Sequence, residues 1–217
     1  MSKQFAVIGM GRVGAALVET LDSLGHDFLG IDCDEERIQD LSAELPGANL
    51  IAADATEGTV LRDLGLENFD GAAVVIGNND QAGVLVTLIL KDLNVPLVIA
   101  RASSRLHARV LDRVGADHVV EPEREFGEFL ARRISSPGVL DYLELGYDEA
   151  IIEMKVPRKW VGKTLGELHL PREKGLTVLV VKPEGKEGVL PRANEPLNEG
   201  DVLLVGGLKK VIDKIDT

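Results

Sequence analysis

The residues best placed to do chemistry in this chain are glycines. Gly9-Met10-Gly11-Arg12-Val13-Gly14 carries the spacing that lays a dinucleotide's phosphates on a helix N-terminus. Gly9 permits the tight turn, Gly11 lets backbone approach a phosphate with no Cβ in the way, and Gly14 lets a helix pack close to its strand. The pattern alone is weak, and its setting gives it weight. It follows the apolar run Phe5-Ala6-Val7-Ile8 and opens a helical pattern of Val13, Ala16, Leu17, Leu21 and Leu24. Gly25 ends that helix, residues 28–31 read as a second strand, and Asp32 closes it where an acid would hold a ribose hydroxyl. The competing reading is an α/β turn that binds nothing, and the agreement of strand, helix and acid weighs against it.

Arg12 is not needed by the turn. A guanidinium there could reach a phosphate, of its own or a neighbouring subunit's ligand. The plain alternative is a solvated first-turn residue, but a cation near a helix N-terminus is slightly unfavourable. Cys33 is the single cysteine, so no disulfide framework, zinc cluster or redox pair can be built. It reads as packing at a strand end rather than as a catalytic thiol, since no histidine lies near it in sequence. An NAD-dependent oxidoreductase is the main alternative function. It would need a proton donor beside the nicotinamide. His26 and His118 fall at the wrong ends of their strands, His107 on a helix and His169 in a later segment, and no lysine stands at the strand tips. The chain is therefore expected not to be an enzyme.

These residues need elements to hold them. Residues 5–8, 28–31, 49–53, 71–76, 96–100 and 118–120 read as strands. Helical patterns alternate with them: one opening at Asp34 and stopped by Pro46-Gly47, a short one over 57–64, one from Asp80 to 93, and one capped by Ser103 or Ser104 and running to 114. The expected fold is α/β: a doubly wound, parallel-sheet Rossmann domain, whose ligand lies at the carboxyl ends of the strands. Those ends carry the glycine loop, Asp32-Cys33-Asp34, Asp54-Ala55-Thr56, Gly77-Asn78-Asn79-Asp80, Arg101, and Glu121-Pro122-Glu123. Helix capping explains Asp34 and Asp80 well. Asp32 and Asp54 are better placed for ligand contact.

The pattern changes after Glu123. Phe126, Phe129, Leu130, Arg133 and Ile134 suggest a helix that ends near Ser136-Pro137-Gly138. Val139-Leu140-Asp141-Tyr142-Leu143, bounded by Pro137-Gly138 and Gly146, has no evident place in the first sheet and is expected to cross to a second subunit. Strands are expected at 151–156, 176–181, 188–191 and 202–205, a helical turn at 164–168 and a final helix at 208–215. The domains are thus residues 1–135, a crossover linker 136–149, and a small α+β domain 150–217. A unit of roughly seventy residues is near the lower limit for independent folding and gains from dimerising.

Composition bounds the rest. The chain has 217 residues, 45% hydrophobic, enough for a sizeable core. Aromatics at 4% argue against a stacking surface for single strands, and a net charge of −12 argues against nucleic acid or an anionic membrane as partner. No signal-peptide pattern opens the sequence, and the longest apolar stretch, 82–93, is too short to span a membrane and reads as a buried helix. A cytoplasmic protein without membrane insertion is expected.

Several of these segments together resemble the RCK-type regulatory subunits of bacterial potassium transport, the KtrA/TrkA family. The resemblance covers the whole chain. It rests on Gly-Met-Gly-Arg-Val-Gly, Ala53-Asp54-Ala55-Thr56, Ala73-Val74-Val75-Ile76-Gly77 and Gly115-Ala116-Asp117-His118-Val119-Val120-Glu121-Pro122-Glu123. Val161-Gly162-Lys163-Thr164-Leu165-Gly166-Glu167-Leu168 and Leu197-Asn198-Glu199-Gly200-Asp201-Val202-Leu203 extend it into the second domain. One N-domain and C-domain pair is more KtrA-like than the tandem TrkA arrangement. Some family members have histidine where Glu121 stands.

The resemblance implies a homo-oligomer, a dimer or an octameric ring of dimers, docked beneath a membrane potassium channel or transporter subunit at the inner face of the membrane. It implies an adenine nucleotide, ATP or ADP in KtrA-like members and NAD or NADH in TrkA-like ones, whose binding changes the ring's shape. The residues that would hold it are Gly9, Gly11, Arg12, Val13, Gly14, Asp32, Cys33, Asp54, Ala55, Thr56, Gly77, Asn78, Arg101 and Glu123. Glu123 either pairs with an arginine or binds a divalent cation near the terminal phosphate. Some members bind cyclic di-AMP between paired C-domains, and an isologous cleft suits a symmetric ligand. Arg192 and Asn194 would then serve phosphate and base, with Ile151 or Val180 as apolar walls. A plain dimerisation module is the favoured reading of that domain.

Overall fold

The computed structural model describes residues 2–136, 138–145 and 148–215. The chain divides after Arg124 into two compact units.

In the first unit, strands and helices alternate: β1 (Gln4–Ile8), α1 (Arg12–Ser23), β2 (Asp27–Asp32), α2 (Glu35–Glu44), β3 (Leu50–Ala52), α3 (Gly58–Asp63), β4 (Gly71–Val74), α4 (Asp80–Asp92), β5 (Val98–Arg101), α5 (Arg105–Val114) and β6 (His118–Val120). Every strand pairs in parallel, in the order β3-β2-β1-β4-β5-β6. This is the doubly wound order, and its switch point lies between β1 and β4, where Ile8 pairs with both Ile31 and Val74. Two apolar clusters cover the sheet. One gathers Ile8, Ile31, Leu61, Val74, Val86 and Leu111; the other gathers Val7, Met10, Val18, Ile38 and Val75. Central strands buried on both faces explain the unbroken apolar runs of their sequence.

Two local expectations shift. Asn79, not Asp80, caps α4, accepting from Ala82 N at 3.1 Å, and Ser104 caps α5. Asp80 instead accepts from Ser103 Oγ at 2.6 Å. Helix α4 is not buried all round: Val86, Thr87 and Leu90 face the core while Leu85 and Leu88 face solvent, since only one side of a helix can lie on a sheet.

Helix α6 (Pro122–Ser135) leads into the second unit, which holds β7 (Val139–Glu144), β8 (Glu149–Lys155), α7 (Leu165–Leu168), α8 (Leu170–Glu173), β9 (Leu176–Lys182), β10 (Val202–Leu208) and α9 (Lys209–Ile212). The strands form an antiparallel sheet in the order β7-β8-β10-β9. Ile152, Met154, Leu176, Leu203 and Val205 build its core, with Trp160 and Leu170 against it. Thr164 and Glu167 form a capping box on α7, so Glu167 bonds both Thr164 N (2.8 Å) and Thr164 Oγ1 (3.1 Å).

The segment read as a linker contains β7, which pairs with β8 of its own chain. The alternation was hidden by a bulge between Val139 and Asp141, which breaks the two-residue period. Arg132 of α6 reaches this strand, with its guanidinium 4.1 Å from the Tyr142 ring centroid and 3.3 Å from Glu144. Pro137 and Gly146, read as its bounds, lie outside the described residues. The strand expected at 188–191 reduces to one bridge between Val181 and Val189, because Pro191 has no N–H to donate and Leu190 is exposed. The last helix is shorter than expected, Leu208 belonging to β10.

Candidate functional site

A cleft of about 690 Å³ opens at the carboxyl ends of the parallel strands of the first unit. The structure brings to its lining all but one of the residues expected to hold a nucleotide: Gly9, Gly11, Arg12, Val13, Asp32, Cys33, Asp54, Ala55, Thr56, Gly77, Asn78, Arg101 and Glu123; of the other strand-end residues, Asp80, Glu121 and Pro122 are not among them. Gly14 stands behind them, where it packs α1 onto β1. A Cβ there would overlap the carbonyl oxygen of Gly9. Asn79, expected at the strand-end rim, lines the cleft as well, and so do Arg37 and Ala82, which were not expected. Their signal is positional: α2 and α4 start at the rim, so first-turn side chains face it.

The three glycines do different work. Gly9 has φ of +100°, and a Cβ would lie 2.9 Å from Ile76 N. Its own N–H donates to Ile31 O at 2.8 Å. Fold and turn therefore both require it. Gly11 is required by neither: the nearest atom to a Cβ there is Arg37 Nη1, at 3.5 Å. Gly11 is also the N-cap of α1 with no side-chain cap, so the first N–H groups of that helix are left for another acceptor.

Asp32 ties the loop down. Its Oδ2 accepts from Met10 N at 2.6 Å and its Oδ1 from Asp34 N at 3.0 Å. A carboxylate oxygen has two acceptor positions, so both oxygens keep one for a ribose hydroxyl. Asp54 is turned onto its own loop, where Oδ1 accepts from Thr56 N at 2.9 Å and Thr56 Oγ1 at 2.6 Å. Those two bonds, the side-chain one first, hold its carboxyl below the usual range. Asp34 caps α2 by accepting from Arg37 N at 3.1 Å. Cys33 is exposed, and desolvation followed by the charge of Asp32 pushes its thiol up, away from a nucleophilic thiolate.

Charges of both signs meet across the cleft. Arg101, whose side chain is 12% exposed, bonds Glu123 through Nη2 and Ile76 O through Nη1 at 3.3 Å. Its buried Nε has no partner among the described residues. The Arg101 hydrogen bond is the first cause holding Glu123 below the usual carboxyl range, and the charge of Arg12 adds to it. The arginine expected as one partner of Glu123 is thus Arg101; no group of three metal-binding side chains occurs among the described residues.

Histidine and lysine are missing from the described lining. His26 packs edge-on against Phe5, His107 is buried 3.3 Å from Asp80 Oδ1, His118 starts β6 and His169 sits between α7 and α8.

Residues 5–122 match the TrkA-N domain family and residues 150–216 the TrkA-C domain family. The chain belongs to the Ktr and Trk potassium uptake family. Among its members, it is 38% identical to Ktr system potassium uptake protein C of Bacillus subtilis, over 95% of this chain and 93% of that protein. It is 35% identical to Ktr system potassium uptake protein A of the same organism, over 99% of this chain and 96% of that one. Among solved structures, GsuK bound to ADP superposes on 61% of this family member and 34% of that chain, with a TM-score of 0.51 and 28% identity. The expected pairing of an N-domain with a C-domain of this family is what the two matches describe. No described helix of this Ktr/Trk-family chain is long and apolar enough to cross a membrane.

Proposed function

We propose that this protein is a nucleotide-sensing regulatory subunit of a potassium uptake system, acting from the cytoplasmic side on a membrane channel or transporter subunit. The observation that carries the nucleotide is the cleft itself. Gly11 leaves open space above uncapped helical N–H groups, at the switch point of a doubly wound sheet. Phosphates would lie over Gly11 and the start of α1, with Arg12 beside them, and ribose hydroxyls would donate to Asp32. Asp54-Ala55-Thr56 would flank the base. An adenine nucleotide fits these groups; GsuK, with ADP bound, is a structural neighbour in support. The full names of the Ktr relatives support the transport role.

The chain's part is to bind differently in two states. A ligand shifts a conformational equilibrium only by its differential affinity for them. Arg101 and Glu123 supply such a difference, because a phosphate competes for the guanidinium and a divalent cation for the carboxylate. Self-association is supported by apolar side chains left in solvent: Leu85, Leu106 and Val110 on α4 and α5, and Phe126, Leu130 and Ile134 on α6. Cyclic di-AMP in the second unit has less support, since Arg192 is paired with Glu195 at 2.7 Å.

Thermal-shift measurements with ATP, ADP, NAD and NADH, each with and without Mg²⁺, test the nucleotide. A ligand at about 100 times its Kd should add about 2.7 kcal/mol. Silence with all four removes the nucleotide. Affinity capture of a membrane potassium-transport subunit from the native host tests the partner, and its absence would leave a free sensor.

A further inference from the structure

The second unit contains a cavity of about 370 Å³ with a charge opposite to that of the whole chain. Lys159, Lys174, Lys210 and Lys214 line it, against a single carboxylate, Glu173, in the described lining. The whole protein carries 36 acidic side chains to 24 basic ones, so four ammonium groups around one opening are not a sample of its average surface. The floor is apolar: Trp160 and Leu176 are buried there. Lys174 Nζ stands 5.6 Å from the Trp160 ring centroid.

Neighbouring lysines show what is unusual. Lys209, one residue before Lys210, is held by Glu144 at 2.6 Å, and Lys182 by Glu153 at 2.6 Å. Lys174, Lys210 and Lys214 have no carboxylate partner among the described residues. Like charges gathered over a low-dielectric floor repel one another and raise the local anion concentration. The volume is at the small end for ligand sites. It suits a compact, multiply charged group better than a whole dinucleotide.

We propose that this cavity binds a phosphate-bearing anion, with Lys174, Lys210 and Lys214 around the phosphate and Trp160 beneath it. Lysine acts on phosphate as a mobile point charge, which suits a rim of flexible side chains. The same chemistry is offered by a free phosphorylated molecule and by an anionic phospholipid headgroup. The site is separate from the glycine-loop cleft and does not depend on it.

Trp160 is the only tryptophan, so its fluorescence reports this cavity directly. The full chain is titrated with inorganic pyrophosphate, then with vesicles of phosphatidylglycerol or of phosphatidylcholine. A saturable change in Trp160 emission with pyrophosphate is expected, weakened at least tenfold in the combined Lys174→Gln, Lys210→Gln, Lys214→Gln variant and weakened by added salt. The response should persist in Gly11→Asp, which disables the other cleft. A response to phosphatidylglycerol but not phosphatidylcholine or pyrophosphate assigns the headgroup instead. The three lysines are exposed, so the variant should fold, as its circular dichroism and melting will show. The site is overturned by silence with both anions, by an equal response to phosphatidylcholine, by undiminished affinity in the folded triple variant, or by loss of the response in Gly11→Asp.

Discussion

In the first unit all paired strands run the same way; in the second, neighbours run oppositely. The burial of the strands follows. β4 is nearly continuous in its cover, whereas β8 alternates buried and open residues along its length. Parallel pairing forces each chain crossover over the sheet, so every strand delivers its C-terminal residue to one rim. Asp32, Arg101 and the glycine loop, far apart in sequence, meet there for that reason alone. Antiparallel pairing sends strand ends to both sides, and β8, β9 and β10 converge on no common rim. The cavity of the second unit is instead made by helical turns laid beside the sheet, and its polar groups are mobile lysines rather than anchored backbone. Direction of pairing thus decides which unit offers a rigid site.

Substitutions should break one unit and spare the other. Gly14→Val has the largest expected effect, because a side chain there meets the Gly9 carbonyl at the strand–helix junction. Overpacking against backbone costs about 3 kcal/mol or more. Calorimetry should show the first unit's transition lost and the second's retained; loss of both would mean that the units fold as one. Leu203→Ala should do the converse, costing the second unit about 2–5 kcal/mol through a cavity under β10, with nucleotide affinity unchanged.

Thr164→Ala removes the capping box of α7 and should lower the second transition by about 1 kcal/mol, measured by urea unfolding. Smaller again is a pH effect in the first unit. Asp117 is held below the usual carboxyl range by Lys91 at 2.9 Å, then by the Val98 N–H at 2.7 Å. Its folded pKa is depressed, so its contribution is complete above the ordinary value of about 4 and fades as pH falls through the lower folded value. Asp117→Asn should therefore flatten the acid side of the first unit's stability curve; an unaltered curve would count against the pairing.

Gly11→Asp sits at the end of the scale for stability and at the start for function. No backbone lies within reach of a new Cβ, so melting should move by less than about 0.5 kcal/mol. Adenine nucleotide affinity by calorimetry should fall at least a hundredfold. The same titrations should show NADP(H) far weaker than NAD(H), since a 2′-phosphate meets the Asp32 carboxylate.

The contrast also governs what could be read from sequence. Unbroken apolar runs followed by glycine or acid made the parallel strands and their rim legible, down to Asp54 and Glu123 on the cleft. Arg37 was missed because helical pattern reports burial and not which first-turn residue leans over a neighbouring loop. Asn79 and Asp80 both have capping chemistry, and only the path of the chain decides between them. β7 was misread because one bulge cancels a period-two signal. The single bridge at Val189 shows the reverse error, an apolar tetrapeptide whose proline cannot join a ladder.

Asp32 has a consequence for how this lineage can change. Folds of this kind switch to cofactors with a phosphorylated ribose by replacing the acid at that position with a neutral residue. Here the same carboxylate anchors Met10 N and Asp34 N, twenty-two residues of chain apart in the first case. A neutral side chain at position 32 would release the loop in the step that welcomed the new ligand. An unphosphorylated ribose, bound at Asp32 as proposed, would therefore be guarded by epistasis: a second substitution must re-anchor Met10 first, and until it does, drift at this site meets selection on folding before selection on binding.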